Sequence, residues 1–388
     1  MTTTSSHLES TSPPRSTLPP ELIHQILQDS SLSKSNLARC CLVNRVFLHS
    51  ARPLLYAEIT VSFTRINKNN EWGLDRATEL LFQTLSETPL LGRYARKLSF
   101  LADPKSKGEE ETDVYSGLRC VNYGEVVEQA LGMLPLLESV DLGAHLSDSD
   151  HVKEIVFNRG SQWKEIAVDD VLLYQNADGN RRTWSELPNL RKLRCKIVSF
   201  DSGDTSSIPD HLEVLDIIHP SSRHFPLSLS PQSQLRVLRV IPFNSTLQHL
   251  GYMRQLRHLY LSADCAPGSL SLETLTALSR LPLLESLSVE YRGSTQRHDN
   301  TIRSLLHHVP SSLHRLAFPH CIPFEALTQF FQSDETRQIQ TLGLDRRLPR
   351  YNLRHEESRR RMEQLRVICE EKGIAIGYVD LREDIFLV

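Results

Sequence analysis

With 388 residues, 39% of them hydrophobic and 23% charged, the chain has the composition of a folded protein that can bury a sizeable core. A formal net charge of -3 provides no global basic field, which argues against nucleic acid and anionic membrane as partners. Residues 1–17 lack the apolar centre of a secretory signal, and no apolar run approaches the ~20 residues of a membrane span. A cytoplasmic or nuclear protein is expected, its seven cysteines reduced and without a metal-like CxxC spacing.

In chain order, the Ser/Thr/Pro-rich stretch 1–17 reads as a disordered tail. It gives way to Leu18-Pro-Pro-Glu-Leu-Ile-His-Gln-Ile-Leu27. Pro19 and Pro20 suit a helix start, and Glu21 complements its dipole. Leu22, Ile23, Ile26 and Leu27 then form an apolar stripe. After a Ser-rich break at 30–35, a second helical pattern carries Leu37, Cys41 and Leu42. A third, after Val43, carries Phe47, Leu48, Ala51, Leu54 and Leu55. Three helices this short bury too little to stand alone, so they are expected to pack on a partner or on the following domain.

From here to the C-terminus, residues 57–388 repeat one pattern, apolar-x-x-apolar-x-apolar. Its middle residues are Leu98, Val140, Ile166, Leu193, Leu215, Leu238, Leu259, Leu287, Leu316 and Leu342. From Val140 on, the intervals are 26, 27, 22, 23, 21, 28, 29 and 26 residues, within the ~20–29 of a leucine-rich repeat. The longer first interval holds a polar insertion near 103–117. Helix-period segments at 269–279, 301–306, 324–331 and 356–371 alternate with these strand patterns, as a parallel α/β solenoid requires. Such repeats commonly place Asn or Cys three residues after the last strand position. Here only Cys321 fits, which implies uneven turns.

Residues 18–56 resemble the F-box motif. The counterparts are Leu18, Pro19, Glu21, Leu22, Ile26, Leu27, Leu37, Leu42, Val43, Arg45, Leu54 and Leu55. Asn44 stands where the family often has Cys, and Tyr56 where it often has Trp. The remainder resembles the irregular leucine-rich repeats that follow this motif in fungal F-box proteins. The resemblance implies a fold of three helices followed by a leucine-rich-repeat solenoid, strands on the concave face and helices on the convex one. It also implies a substrate-recognition subunit of a Skp–cullin–F-box ubiquitin ligase, not itself an enzyme. The F-box would bind a Skp-type adaptor and, through it, cullin and RING subunits, with Leu18, Pro19, Leu22, Ile26, Leu42 and Val43 as docking candidates. The alternative is a leucine-rich-repeat scaffold acting outside a ubiquitin ligase.

Residues between the apolar strand positions face away from the core. Arg194, Arg239, His258, Tyr260 and Arg315 are therefore candidates for binding a polar or acidic segment of a target protein, against the plainer reading of a solvated sheet face. No GxxxxGK[ST] or GxSxG motif occurs, and no catalytic, metal or cofactor site is expected.

Overall fold

The computed structural model describes residues 18–28, 32–65, 72–102, 122–146, 149–168, 174–175, 181–182, 184–196, 209–218, 232–241, 250–264, 272–292, 299–318, 322–333, 338–345 and 356–379. The expected tail at 1–17, the insertion near 103–117 and Cys321 lie outside them.

Every copy of the repeated pattern becomes a strand. The strands are β1 (Glu58–Arg65), β2 (Trp72–Leu74), β3 (Lys97–Ala102), β4 (Ser139–Asp141) and β5 (Glu165–Val168). After a small antiparallel hairpin, β6 (Tyr174–Gln175) and β7 (Arg181–Arg182), come β8 (Lys192–Lys196), β9 (Val214–Ile218) and β10 (Val237–Ile241). The series closes with β11 (His258–Asp264), β12 (Ser286–Arg292), β13 (Arg315–Phe318), β14 (Thr341–Asp345) and β15 (Ala375–Val379). All but the hairpin join one 13-stranded sheet in the order β15-β14-β13-β12-β11-β10-β9-β8-β5-β4-β3-β1-β2. Only β1–β2 is antiparallel; each other pairing is parallel. Apart from β2 at the edge, each strand adds beside its predecessor and the order never reverses. The chain is thus an α/β protein of solenoid-like construction, with no switch point of the kind found in a doubly wound sheet.

The sequence repeat is also the sheet register. Ile59, Leu98, Val140, Ile166, Leu193, Leu215, Leu238, Leu259, Leu287, Leu316, Leu342 and Ile376 pair in one unbroken row across the parallel strands. All are buried except Ile376, which packs against the edge of the same core. At the strand starts the backbone repeats as well. The Arg96 carbonyl accepts from the N–H groups of Glu138 and Ser139, and the arrangement recurs as far as His314 with Gln340 and Thr341.

Helices α4 (Arg76–Glu87), α5 (Tyr123–Met133), α6 (Gly143–Leu146) and α7 (Asp150–Asn158) fill connections in the first half. In the second half α8 (Leu272–Ser279), α9 (Asp299–His307), α10 (Phe324–Gln332) and α11 (Glu356–Glu371) do the same. Among the described residues, no helix lies between Lys192 and Leu272, where the short 3₁₀ turn Leu250–Tyr252 is found instead. Leu131, Val156, Leu305, Phe331 and Leu365 from the helices share one core with the strand row. The row thus points toward the helices, and its neighbours along each strand point the opposite way.

Ahead of the sheet stand three further helices, α1 (Pro20–Leu27), α2 (Lys34–Cys40) and α3 (Arg45–Ala57). Pro20 opens α1, Ser33 caps α2 through the Asn36 N–H (3.2 Å), and Asn44 caps α3 through the Phe47 N–H (3.0 Å). Asn44, a departure from the F-box pattern, thus ends the turn and starts the third helix. Ile23, Leu27, Leu37 and Ala51 form a small core of their own, flanked by Phe47, Leu54 and Leu55. The unit is joined to the sheet without a linker. Helix α3 ends at Ala57 where β1 begins, Tyr56 packs against the large core, and Lys34 Nζ donates to the Glu58 carbonyl at 2.8 Å.

Candidate docking and recognition surfaces

The helical unit hides few of its apolar residues. Ile23 and Leu27 point into its core, while Leu22 and Ile26, one turn apart, are 45% and 54% exposed. Leu18 and Pro19, just ahead of α1, are also exposed. In the turn from α2 to α3, Leu42 is 86% exposed, and Val43 stands open beside it. All six residues singled out from the sequence therefore reach solvent. The structure adds Val46, in the first turn of α3 and also exposed. Its signal in the sequence was weak: a lone valine four residues after Leu42.

On the sheet face away from the helices, the five candidates fall into two rows. Arg194, Arg239 and Tyr260 share one row, which runs Arg194–Asp216–Arg239–Tyr260–Ser288–Ala317–Gly343–Gly377. His258 and Arg315 lie two residues back, in the row Lys192–Val214–Val237–His258–Ser286–Arg315.

The first row forms a polar chain. Asp216 is 1% exposed, and its Oδ2 accepts from Arg194 Nε at 3.0 Å. Its Oδ1 lies 3.6 Å from Arg239 Nε, close enough for an ion pair and too long for a hydrogen bond. The Arg239 guanidinium carbon sits 4.8 Å from the centroid of the Tyr260 ring, a cation–π contact. The Tyr260 hydroxyl in turn donates to Glu290 Oε2. Tyr260, Ser288 and Glu290 are buried, so this part of the face is not a solvated strand surface. Asp216, Ser288 and Glu290 were not among the target-binding candidates chosen from the sequence; Asp216 shows there only as an acid whose strand position falls between basic ones on the two neighbouring strands.

Burial raises the Asp216 carboxyl above its ordinary range, with Arg239 and Arg194 opposing that shift. Burial lowers His258, opposed by Glu285, while Arg257 and Arg315 reinforce it. Four buried polar atoms on this face lack a hydrogen-bond partner: Asp216 Oδ1, Arg239 Nε, His258 Nε2 and Ser288 Oγ.

A third feature lies at the strand starts, an open depression of about 380 Å³ lined by Arg96, Glu138, Lys164, Asn189 and Arg191 among others. Its cations are already engaged. Lys164 pairs with Glu138 at 2.8 Å, Arg96 donates to the carbonyls of Arg93 and Ala95, and Arg191 donates to that of His211. On α11, Arg360 and Arg361 pair with Glu356 and Glu357 one turn back.

No protein-family model matches this chain, and no curated protein sequence does. Function has to be read from the chemistry of the surfaces. Among the described residues, no group of three or more His, Cys, Asp or Glu is placed to hold a metal ion. No helix among them is long and apolar enough to cross a membrane.

Proposed function

We propose that the chain is the substrate-recognition subunit of a Skp–cullin–F-box ubiquitin ligase. Residues 18–56 would dock on a Skp-type adaptor, and a leucine-rich-repeat domain over 57–388 would hold the target protein. The observation that carries this reading is the set of exposed apolar side chains on the helical unit: Leu18, Leu22, Ile26, Leu42, Val43 and Val46. Full burial of one such side chain is worth roughly 1.5–3 kcal/mol, and these start part-buried. Together they supply on the order of 5–10 kcal/mol before the cost of association is subtracted. That is comparable with the cost of association, so affinity also depends on polar contacts at the rim.

Ubiquitin transfer on this reading is a matter of proximity. The adaptor links the chain to the cullin and RING subunits that bring the ubiquitin-charged enzyme, the repeats hold a target lysine near it, and the chain itself breaks no bond. The linker-free junction at Ala57 and Glu58 supports it, because two surfaces fixed on one body keep their relative geometry.

A second reading, a repeat scaffold working outside a ubiquitin ligase with the three helices as its cap, has its own support in the packing of Tyr56 against the large core. A cap, however, needs a polar outer face to stay soluble. Leu42 at 86% exposure is the opposite of that. Co-purification with a Skp-type adaptor separates the two readings. The intact chain captures it and a chain lacking residues 18–56 does not; capture unchanged by the deletion would refute the ligase reading.

A further inference from the structure

We propose that the sheet face away from the helices, over β8 to β13, receives an acidic segment of a partner polypeptide whose carboxylates seat on Arg194 and Arg239. The inference rests on the target-holding half of the function proposed above and names the chemistry of the target.

Charge along this face is divided. Over β1, β3, β4 and β5 it presents Glu58, Asp141 and Glu165 against Lys97. Over β8 to β13 the two rows present Lys192, Arg194, Arg239 and Arg315 against Asp216, with Glu290 two residues further along β12. His258 adds no charge near neutral pH, since burial lowers its pKa. An acidic segment is therefore drawn to the middle of the face and repelled from its first strands.

The arginines are held in place for it. Arg194 and Arg239 lie two strands apart, about 10 Å between backbones, and both turn toward the Asp216 carboxylate between them. One carboxylate balances one guanidinium and leaves the other in excess. Arg194 remains 43% exposed and Arg239 12%, so a carboxylate approaches the pair from the Arg194 side. Tyr260, tethered by Glu290, supports Arg239 from the far side. A guanidinium fixed in this way loses less freedom on binding a carboxylate than a mobile one does.

A second, independent feature points to a ligand at the same place. Ser288, more than nine-tenths buried, has a hydroxyl with no hydrogen-bond partner, and Nε2 of His258 is also unpartnered. Buried polar atoms in that state are costly, and an extended peptide lying across the strands offers both donors and acceptors. Beyond Ser288 the row continues as Ala317, Gly343 and Gly377, none of which carries more than a methyl group. Carboxylates suit the site better than phosphate: the buried acids Asp216 and Glu290 repel a dianion more strongly than a single negative charge.

The test uses the full chain and a fluorescein-labelled decapeptide alternating Glu and Ser, followed by anisotropy. The same peptide with Lys for Glu, and one with Ala for Glu and phosphoserine for Ser, serve as comparisons. The glutamate peptide is expected to bind in a salt-sensitive way and the lysine peptide to fail. Arg194→Gln should weaken binding about tenfold. Arg366→Gln, on α11 and paired with Glu363, should leave it unchanged. Thermal unfolding of each variant separates lost binding from lost folding, and Arg315→Gln gives a second probe of the face. Equal binding of glutamate and lysine peptides, binding of the phosphoserine peptide alone, or an Arg194→Gln effect no larger than that of Arg366→Gln overturns the proposal. Adaptor capture through residues 18–56 is measured on the same samples. If capture persists while the acidic site fails, only this inference falls; if capture is lost, the ligase reading falls.

Discussion

The helical unit and the sheet use apolar residues in opposite ways. In the sheet, every middle position of the repeat from Leu98 to Leu342 is buried, and charge is kept to the other face and the strand starts. In the unit, four residues make the core, while six large aliphatic side chains around it stay in solvent. The sheet therefore derives its stability from its neighbours, repeat by repeat. The unit keeps an apolar surface that its own fold does not use, and an unused apolar surface calls for a partner.

Substitution can break this contrast. Leu238→Ala, in the middle of the row, should cost about 2–5 kcal/mol in urea unfolding. Leu22→Ala should stay within about 0.5 kcal/mol. Equal costs would mean that Leu22 is packed and that the contrast is false. Asn44→Ala, which removes the α3 cap, should cost about 1 kcal/mol and speed amide exchange early in α3. Unchanged exchange there would show that the cap carries nothing. At the strand starts, Arg257→Gln breaks a 2.8 Å pair with Glu285 whose partners are both about half exposed. Solvent screening holds the expected loss below about 1 kcal/mol.

The smallest effect is one of pH. His258 is lowered from its ordinary 6.5, so its neutral form favours the fold. That contribution is present above pH 6.5 and is lost as pH falls through the lowered value. The melting temperature of the parent should therefore drop more between pH 7.5 and 5 than that of His258→Gln. A larger drop in the variant would contradict the burial of this imidazole.

Much of the sheet was legible because one position per repeat, the middle one, is always aliphatic and always faces the helices. Ile59 and Ile376 escaped notice because they lie 39 residues before Leu98 and 34 after Leu342, outside the common interval. For α1, periodicity placed Leu22, Ile23, Ile26 and Leu27 on one stripe. Packing split it, with Ile23 and Leu27 inward and Leu22 and Ile26 outward. A pattern of i, i+1, i+4, i+5 spans about half the helix, and only the placement of α3 decides which edge is covered. Burial of Asp216 was hidden for a related reason. Its partners stand 22 and 23 residues away along the chain, and only sheet register brings them alongside.

The most direct test of the docking claim is capture of a purified Skp-type adaptor by the full chain, compared with the double variant Leu22→Glu, Ile26→Glu. Both side chains lie outside the core, so the variant should melt like the parent and yet lose the adaptor. Full capture by a folded double variant, or no capture by the parent, would contradict the assignment of this surface.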